Sequence, residues 1–170
     1  MISKEMTDAL NEQLQKEFHS AYMYLGLSAY ASDIGFNGCA SWFNIQYQEE
    51  VAHAMKLFKY IENQDAKVDL KDIKAFNMNK GELIDIFKKA YGHEQVMTKN
   101  LNNLSDIALK EKDHATYNLL QWYVNEQVEE ESMFKEIIDK LKIVGNDGVG
   151  LFTIDQDLSS RTFVDPTATA

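Results

Sequence analysis

The sequence contains a single proline, Pro166, and it lies among the last five residues. Proline removes a backbone donor and breaks a helix interior, so the rest of the chain is free of this interruption. Glycine, the next most disruptive residue in a helix, falls mainly at Gly35, at Gly38 and between residues 145 and 150. These positions leave long segments that can stay helical. The 170 residues, 45% of them apolar, suffice for one domain with one core.

Apolar side chains in the first two segments recur at alternating spacings of three and four, which is typical of amphipathic helices. The first predicted helix covers about residues 4–32 with Ser3 as its N-cap. The second covers about residues 38–63 with Asn37 as its N-cap, after the turn "DIGFNG". Because so short a turn reverses the chain, the two helices are expected to form a hairpin.

The connection that follows, residues 65–78, has weak periodicity and is too long for a tight turn. It predicts a crossover along the bundle, which would make the second and third helices parallel. The third helix is expected to begin within "NKGE", where Asn79 and Glu82 form a capping box, and to reach about Lys110.

The fourth predicted helix covers about residues 114–144 and stops at Gly145. A short fifth helix is expected in "VGLFTIDQDLSS", and residues 161–170 are expected to be a flexible C-terminal tail. Two helical hairpins joined by one long crossover is a known connectivity of four-helix bundles. The predicted fold class is therefore all-α, with residues 1–160 forming a four-helix bundle that carries a short fifth C-terminal helix.

Each of the four core stripes carries a carboxylate near its middle, and the four are Glu17, Glu50, Glu94 and Glu130. Glu17 and Glu50 are 33 positions apart, as are Glu94 and Gln127, which suggests two similar hairpins. Counted from the turns at about 1.5 Å per residue, these side chains lie near the middle of the bundle. His53 follows Glu50 by one helical turn.

Burial of an isolated carboxylate costs several kcal/mol, and the stripes hold no lysine or arginine to compensate four of them. Metal cations supply the missing charge. Carboxylates with one imidazole and no thiolate suit iron, manganese or zinc better than copper(I). Glu50 is central enough to bridge two ions, and His53 can bind one of them.

Simpler explanations exist for each residue taken alone. A single glutamate can extend to the surface, and Glu-x-x-His often occurs by chance. Tyr24, one heptad beyond Glu17, is either a core aromatic residue or a neighbour of the metals that donates electrons. The acidic run "NEQVEEES", together with Glu49, is by its pattern alone a solvated helix face.

Charge and cysteine content exclude other functions. The net charge is −10 and Arg161 is the only arginine, which disfavours nucleic acid as a partner and favours cations. Cys39 is the only cysteine, so no intrachain disulfide can form and a reducing cytoplasm is the expected location. No stretch approaches the roughly 20 apolar residues of a membrane span, so no membrane partner is expected.

Four motifs resemble the non-haem bacterial ferritins: "LNEQLQKEFHSAYMYL", "QEEVAHAMKLF", "AYGHEQ" and "NLLQWYVNEQVEEESMFKEIIDKL". The resemblance extends to about Ser160 and implies a ferritin-like bundle with a di-iron ferroxidase centre. The implied ligands of the first iron are Glu17, Glu50 and His53. Those of the second are Glu50, Glu94 and Glu130, with Gln127 as a polar neighbour and Tyr24 beside the centre. A third iron site is implied at Glu49, Glu126, Glu129 and Glu130.

The resemblance also implies iron storage and detoxification. Fe(II) would be oxidised by O2 or H2O2 and deposited as ferric oxyhydroxide inside a homo-oligomer of about 24 subunits. Bacterioferritins carry a second Glu-x-x-His where this chain has Gln127 and Glu130, so iron is expected to pass through the centre. They also have a haem-binding methionine where this chain has Val51 and Ala52, so no haem is expected.

Two alternatives stay open at the level of sequence. A di-iron oxidase or peroxide reductase would keep its two metals and store none. A metal-free helical interaction module would become more stable on Glu50→Ala, because that change removes a buried charge.

Overall fold

The computed structural model describes residues 2–78 and 80–168 and confirms the all-α prediction. Its five helices are α1 (Lys4–Asp33), α2 (Asn37–Asn63), α3 (Leu83–Glu111), α4 (His114–Val144) and α5 (Gly148–Ser159). The part of the chain described contains no strand. The most extensive packing joins α1 to α2 and α3 to α4, which are the two predicted hairpins.

The long connection between α2 and α3 runs along α1. Near its start, the Asn11 side chain donates to the Lys67 carbonyl at 3.0 Å, and near its end Tyr30 Oη donates to the Gly81 carbonyl at 3.0 Å. The connection therefore follows α1 from its first half to its last turns. Since α1 and α2 form a hairpin, this path returns the chain to the start of α2, so that α3 runs parallel to α2.

The start of α2 corrects one prediction. Asn37 is the first helical residue and not the N-cap, which is Phe36 and makes no side-chain capping bond. The cap comes instead from α5, because Asp155 Oδ1 accepts from the Cys39 backbone N–H at 2.8 Å. A Cβ on Gly38 would lie 1.8 Å from the Asp155 carbonyl oxygen, so this close docking requires glycine. The residues around Asn37 do not indicate that the cap is supplied by a side chain 116 residues from Cys39.

The start of α3 is a second correction. The helix begins at Leu83, and Glu82 is its N-cap in a capping box with Asp85. The predicted cap, Asn79, lies outside the described residues. Gly81 has φ of 138°, which a helix interior does not accept, so the helix can only begin after it. By contrast, Ser3 caps α1 as predicted, accepting from the Met6 backbone N–H at 2.9 Å.

The apolar core is divided into two clusters. One contains Phe43, Phe87 and Phe134 with the contact to α5, and the other contains Leu14, Leu57 and Leu101 among its members. The predicted polar residues of the four stripes belong to neither cluster and fill the level between them. The spacing of three and four predicts Ser28 on the buried stripe of α1 and Tyr47 on that of α2. Both are half-buried, and Leu27 and Gln46 are fully buried in their place.

After α5, the described part of the tail follows α2. Arg161 lies against Gln46 and Glu49, and Asp165 and Thr167 line a groove with residues of the last turns of α2. The mobility expected of 161–170 and the domain division at residue 160 stay predictions. Among the helices of residues 2–78 and 80–168, none is both long and apolar enough to cross a membrane.

Candidate metal centre

The four predicted carboxylates lie at the polar level between the two apolar clusters. Each of the four long helices contributes one of them, because each helix turns one apolar stripe inward and the glutamate interrupts that stripe at mid-length. All four are at most 4% exposed; they are Glu17, Glu50, Glu94 and Glu130. Four acidic groups are thus removed from water at one depth of the bundle.

Three side chains form a compact group of donor atoms. One ligand atom each from Glu17, Glu50 and His53 lies within 4.8 Å of the others, and each of these side chains is 2% exposed. His53 Nδ1 is 3.7 Å from Glu50 Oε2. The other imidazole nitrogen, His53 Nε2, is buried and has no hydrogen-bond partner among the described residues. Two carboxylates and an imidazole at this spacing are a donor set that iron or zinc accepts.

Glu94 is held from two sides by hydrogen-bond donors. Tyr24 Oη donates to Oε1 of Glu94 in a short bond, and Gln127 Nε2 donates to Oε2 at 2.9 Å. Tyr24 is fully buried, and its pKa is raised well above the ordinary value by burial and by the neighbouring carboxylates. The phenol therefore stays protonated and acts as a donor toward Glu94.

Two glutamines hold the other carboxylates. Gln13 Nε2 donates to Glu17 Oε1 at 2.7 Å, and Gln46 Nε2 donates to Glu130 Oε2 at 2.8 Å. Across the described residues, Glu94 and Glu130 do not form a second three-ligand group of the spacing seen at Glu17. Glu94 is instead held by Tyr24 and Gln127, and Glu130 by Gln46, with carboxylate lone pairs left for another partner.

The electrostatics of this level favour uptake of a cation. Burial, followed by the charges of neighbouring carboxylates, raises the pKa values of Glu17, Glu50 and Glu130 well above the ordinary range. Burial also raises the pKa of Glu94. Within residues 2–78 and 80–168, no ion pair joins a lysine or arginine to any of the four. When these groups ionise, no lysine or arginine of the protein is paired with them, so a metal ion is the natural counter-ion.

A second acidic region adjoins the first. A cavity of about 340 Å³, here called the acidic pocket, is lined by Glu49, His53, Glu126, Glu129, Glu130, Met133, Arg161, Val164 and Pro166. The residues of the predicted third site therefore share one cavity, and Glu130 and His53 border both regions. Burial raises the pKa of Glu49, while the guanidinium of Arg161 opposes that rise.

Comparison with known proteins decides the family. A family model for the ferritin-like domain matches residues 7–144. The chain belongs to the ferritin family. The bacterial non-haem ferritin of Campylobacter jejuni is 42% identical over 156 residues, which cover 92% of this chain and 93% of that protein. The bacterial non-haem ferritin of Staphylococcus aureus is 36% identical over 163 residues, which cover 96% and 98%. The predicted family, the bacterial non-haem ferritins, is thereby confirmed.

Solved ferritins share the fold of this one. An open-pore ferritin from the hyperthermophilic archaeon Archaeoglobus fulgidus superposes with a TM-score of 0.94 at 40% identity, covering 95% of this chain and 100% of that chain. A form of the A. fulgidus ferritin engineered to be closed gives 0.95, with 96% and 100% covered. The four-helix bundle with a short C-terminal helix is confirmed by both.

Four residues around the centre of this ferritin were not predicted from the sequence. Gln13 and Gln46 each precede a core glutamate by four residues, so their position one turn earlier on the same face was a usable signal. Arg161 gave no such signal, because it was placed in the tail and its contacts depend on how α5 docks. Tyr123 donates from its hydroxyl to the His53 carbonyl at 2.7 Å and so ties α4 to α2.

Proposed function

We propose that this ferritin stores iron by oxidising Fe(II) at the polar level between its four long helices. The observation that carries the proposal is the Glu17, Glu50 and His53 group, whose donor atoms lie within 4.8 Å of one another in a buried setting rich in carboxyl groups. Iron is the substrate here. Storage of iron agrees with the family to which the chain belongs.

Each residue has a role in this proposal. Glu17 and His53 bind the first Fe(II), Glu50 bridges to the second, and Glu94 and Glu130 complete the second site. Gln127 lies beside that site as a donor to Glu94. Carboxylate ligands favour the ferric state, since hard anionic oxygens stabilise the higher charge. Two Fe(II) ions lose one electron each, and O2 or H2O2 accepts them.

Proton release accompanies iron binding in this scheme. Because burial raises the pKa values of Glu17, Glu50 and Glu130, the metal-free centre retains protons that unperturbed carboxyl groups would lose. A bound cation favours the ionised form, so those protons leave when the iron arrives. Tyr24 is placed to keep Glu94 oriented during the exchange, and an electron-donating role for it remains part of the proposal.

The ferric product leaves through the acidic pocket. The site formed by Glu17, Glu50, His53, Glu94 and Glu130 between the four long helices is here called the intrahelical centre. Support comes from Glu130, which belongs to this centre and also lines the pocket with Glu49, Glu126 and Glu129. A carboxylate shared by two neighbouring sites lets an ion pass without becoming free in solution. These four residues form the third iron site of the proposal.

We further infer that the chain assembles into a hollow homo-oligomer of about 24 subunits, which would hold the ferric oxyhydroxide. Large apolar side chains on the outside of the bundle support an assembly, because a single chain leaves them in water. They include Tyr22, Leu25, Met55, Val128 and Phe152. The cytoplasmic location expected from the sequence stays a prediction.

The test is the rate of Fe(II) oxidation in the variant Glu17→Ala. Loss of one ligand of the first site is expected to slow the initial oxidation by about 10-fold or more, followed as ferric absorbance after rapid mixing with O2. Glu12→Ala on the same helix is the control, because Glu12 is exposed. Equal rates in the wild type and Glu17→Ala would show that the site is assigned wrongly.

A further inference from the structure

Arg161, the only arginine of the chain, reaches back from the end of α5 onto one face of α2. Its Nη2 lies 2.6 Å from Glu49 Oε2, and its Nη1 donates to Gln46 Oε1 in a short bond. The guanidinium carbon also lies 4.7 Å from the centroid of the Trp42 ring. These three partners follow one another at spacings of four and three residues, so the guanidinium lies along a single stripe of α2.

The contact with Gln46 fixes the orientation of an amide. Arginine can only donate hydrogen bonds, so the Gln46 group that faces Arg161 must be the carbonyl oxygen. The amide N–H₂ then faces the other way, toward Glu130, and donates to its Oε2 at 2.8 Å. Without the guanidinium, a turned amide would point its oxygen at the Glu130 carboxylate. Arg161 therefore stabilises the one orientation of Gln46 that holds Glu130.

The contact with Glu49 acts on the acidic pocket. Glu49 lines the pocket with Glu126 and Glu129, and the Arg161 guanidinium lines it as well. The pairing at 2.6 Å engages one Glu49 oxygen and places a positive charge beside the carboxylate. A cation entering the pocket must share or displace that charge. Arg161 thus helps to orient Glu130 as a ligand, and it makes Glu49 less available to a cation in the pocket.

We propose that Arg161 is a positioning residue that sets how iron divides between the two regions. Through Gln46 it orients Glu130 for the intrahelical centre, and by pairing with Glu49 it lowers the affinity of the acidic pocket. This inference rests on the proposed function, because it concerns iron at the residues named there. The inference adds that a residue of the tail controls the balance between iron binding at the intrahelical centre and iron binding in the acidic pocket.

The test uses the assembled, metal-free protein and Co(II) as the only metal. Air does not readily oxidise Co(II) bound by carboxylates and imidazole, and its visible absorption reports the ligands. Calorimetric titration of Arg161→Gln is compared with the wild type and with Lys4→Gln. Lys4 pairs with Asp8 on an exposed surface, so the control removes the same charge elsewhere. A variant carrying Glu126→Gln and Glu129→Gln identifies which binding phase belongs to the pocket.

Arg161→Gln is expected to change the two affinities in opposite directions. Binding at the intrahelical centre should weaken by about 10-fold, as is typical when an outer partner of a ligand is lost. Binding in the acidic pocket should strengthen, because Glu49 is released and Glu130 is the only one of the pocket's four carboxylates that Gln46 holds. In the Gln46→Ala background, Arg161→Gln should not weaken the intrahelical centre further, since the two residues act in one chain of hydrogen bonds.

Three results would overturn the inference: both affinities unchanged, both reduced together, or additive losses in the double variant. A reduction of both affinities would mean that Arg161 acts by anchoring the end of α5 or through Glu130 alone, and that its pairing with Glu49 does not hold back the pocket. Thermal unfolding monitored by circular dichroism shows whether the variants keep the wild-type fold. If the wild type itself binds no Co(II) at the intrahelical centre, the proposed function fails along with the inference, whereas normal wild-type binding confines the failure to Arg161.

Discussion

At the scale of single residues, three of the four carboxylates at the centre accept hydrogen bonds from neutral donors, and among the described residues none of them pairs with a lysine or arginine. Tyr24 and Gln127 donate to Glu94, Gln46 donates to Glu130, and Gln13 donates to Glu17. A neutral donor orients a carboxylate without cancelling its charge. The side chains are therefore held in place while the charge stays available for a metal ion.

The Tyr24 hydroxyl is expected to matter for the second metal. Tyr24→Phe removes the donor to Glu94 Oε1 and leaves the ring in place, so the fold should be kept. We expect Co(II) affinity at the intrahelical centre to fall by about 10-fold, measured by calorimetry. Tyr22→Phe is the matched control, since Tyr22 is 47% exposed on the same helix. Equal affinities in the two variants would contradict a role for the hydroxyl.

The buried carboxylates also predict how stability depends on pH. The pKa of Glu50 is raised well above its ordinary value of 4.5 by burial and by Glu94 and Glu130. The folded metal-free protein then keeps a proton that the unfolded chain loses above about pH 4.5, so the stabilising contribution declines as pH rises through the folded-state pKa. Glu50→Gln, which cannot ionise, should escape this decline.

Relative to the wild type, Glu50→Gln should therefore gain stability between pH 5 and pH 8, by up to about 1.4 kcal/mol per pH unit. Thermal midpoints measured with a chelator present provide the comparison. Glu12→Gln on the exposed face of α1 should show no such trend. A constant difference between Glu50→Gln and the wild type across this range would mean that Glu50 is not the source.

The positions of the four carboxylates were predictable from the sequence, but their partners were less so. Helical spacing fixes the face on which Glu17 or Glu94 lies, and that face is enough to place it in the core. Which donor reaches Glu130 depends on the side chains of other helices. The contacts of Gln46 and Arg161 were not predictable for this reason, because α5 has to dock before Arg161 can meet Gln46.

At the scale of elements, α5 completes the start of α2. Asp155 supplies the cap at the Cys39 backbone N–H, and the same helix ends where Arg161 turns toward Glu49. The lengths of the helices followed from the positions of glycine and proline and from apolar spacing. The predicted cap Asn37 was wrong because a side chain distant in sequence took that role, which no local pattern reveals.

The docking of α5 is expected to be sensitive to Gly38. In Gly38→Ala the new methyl would lie 1.8 Å from the Asp155 carbonyl oxygen, so α5 must move. We expect a loss of about 1–3 kcal/mol in the free energy of unfolding, and faster amide hydrogen exchange in α5. Gly92→Ala is the control. Apart from the local backbone of α3 itself, no atom lies within 4 Å of that added methyl, so it should stabilise α3 by about 0.5–1 kcal/mol. Unchanged exchange in Gly38→Ala would contradict the docking.

At the scale of the whole molecule, the polar level divides the core into two apolar clusters, and the chain carries a net charge of −10. Both features work against stability in the metal-free state. A continuous apolar core would bury more apolar area, and a smaller net charge would cause less repulsion within the folded chain. A function that brings cations to this level accounts for both. Storage adds the further requirement that iron leave the centre and accumulate elsewhere in an assembly.

The most direct test of storage is stepwise aerobic addition of Fe(II) to the purified metal-free protein, with iron and protein measured across size-exclusion chromatography. Storage predicts that iron elutes with one large particle and keeps rising with each addition, far past the number of ligand sites. Saturation at about three ions per chain, the number of sites proposed, would contradict storage and favour an oxidase that keeps its metals.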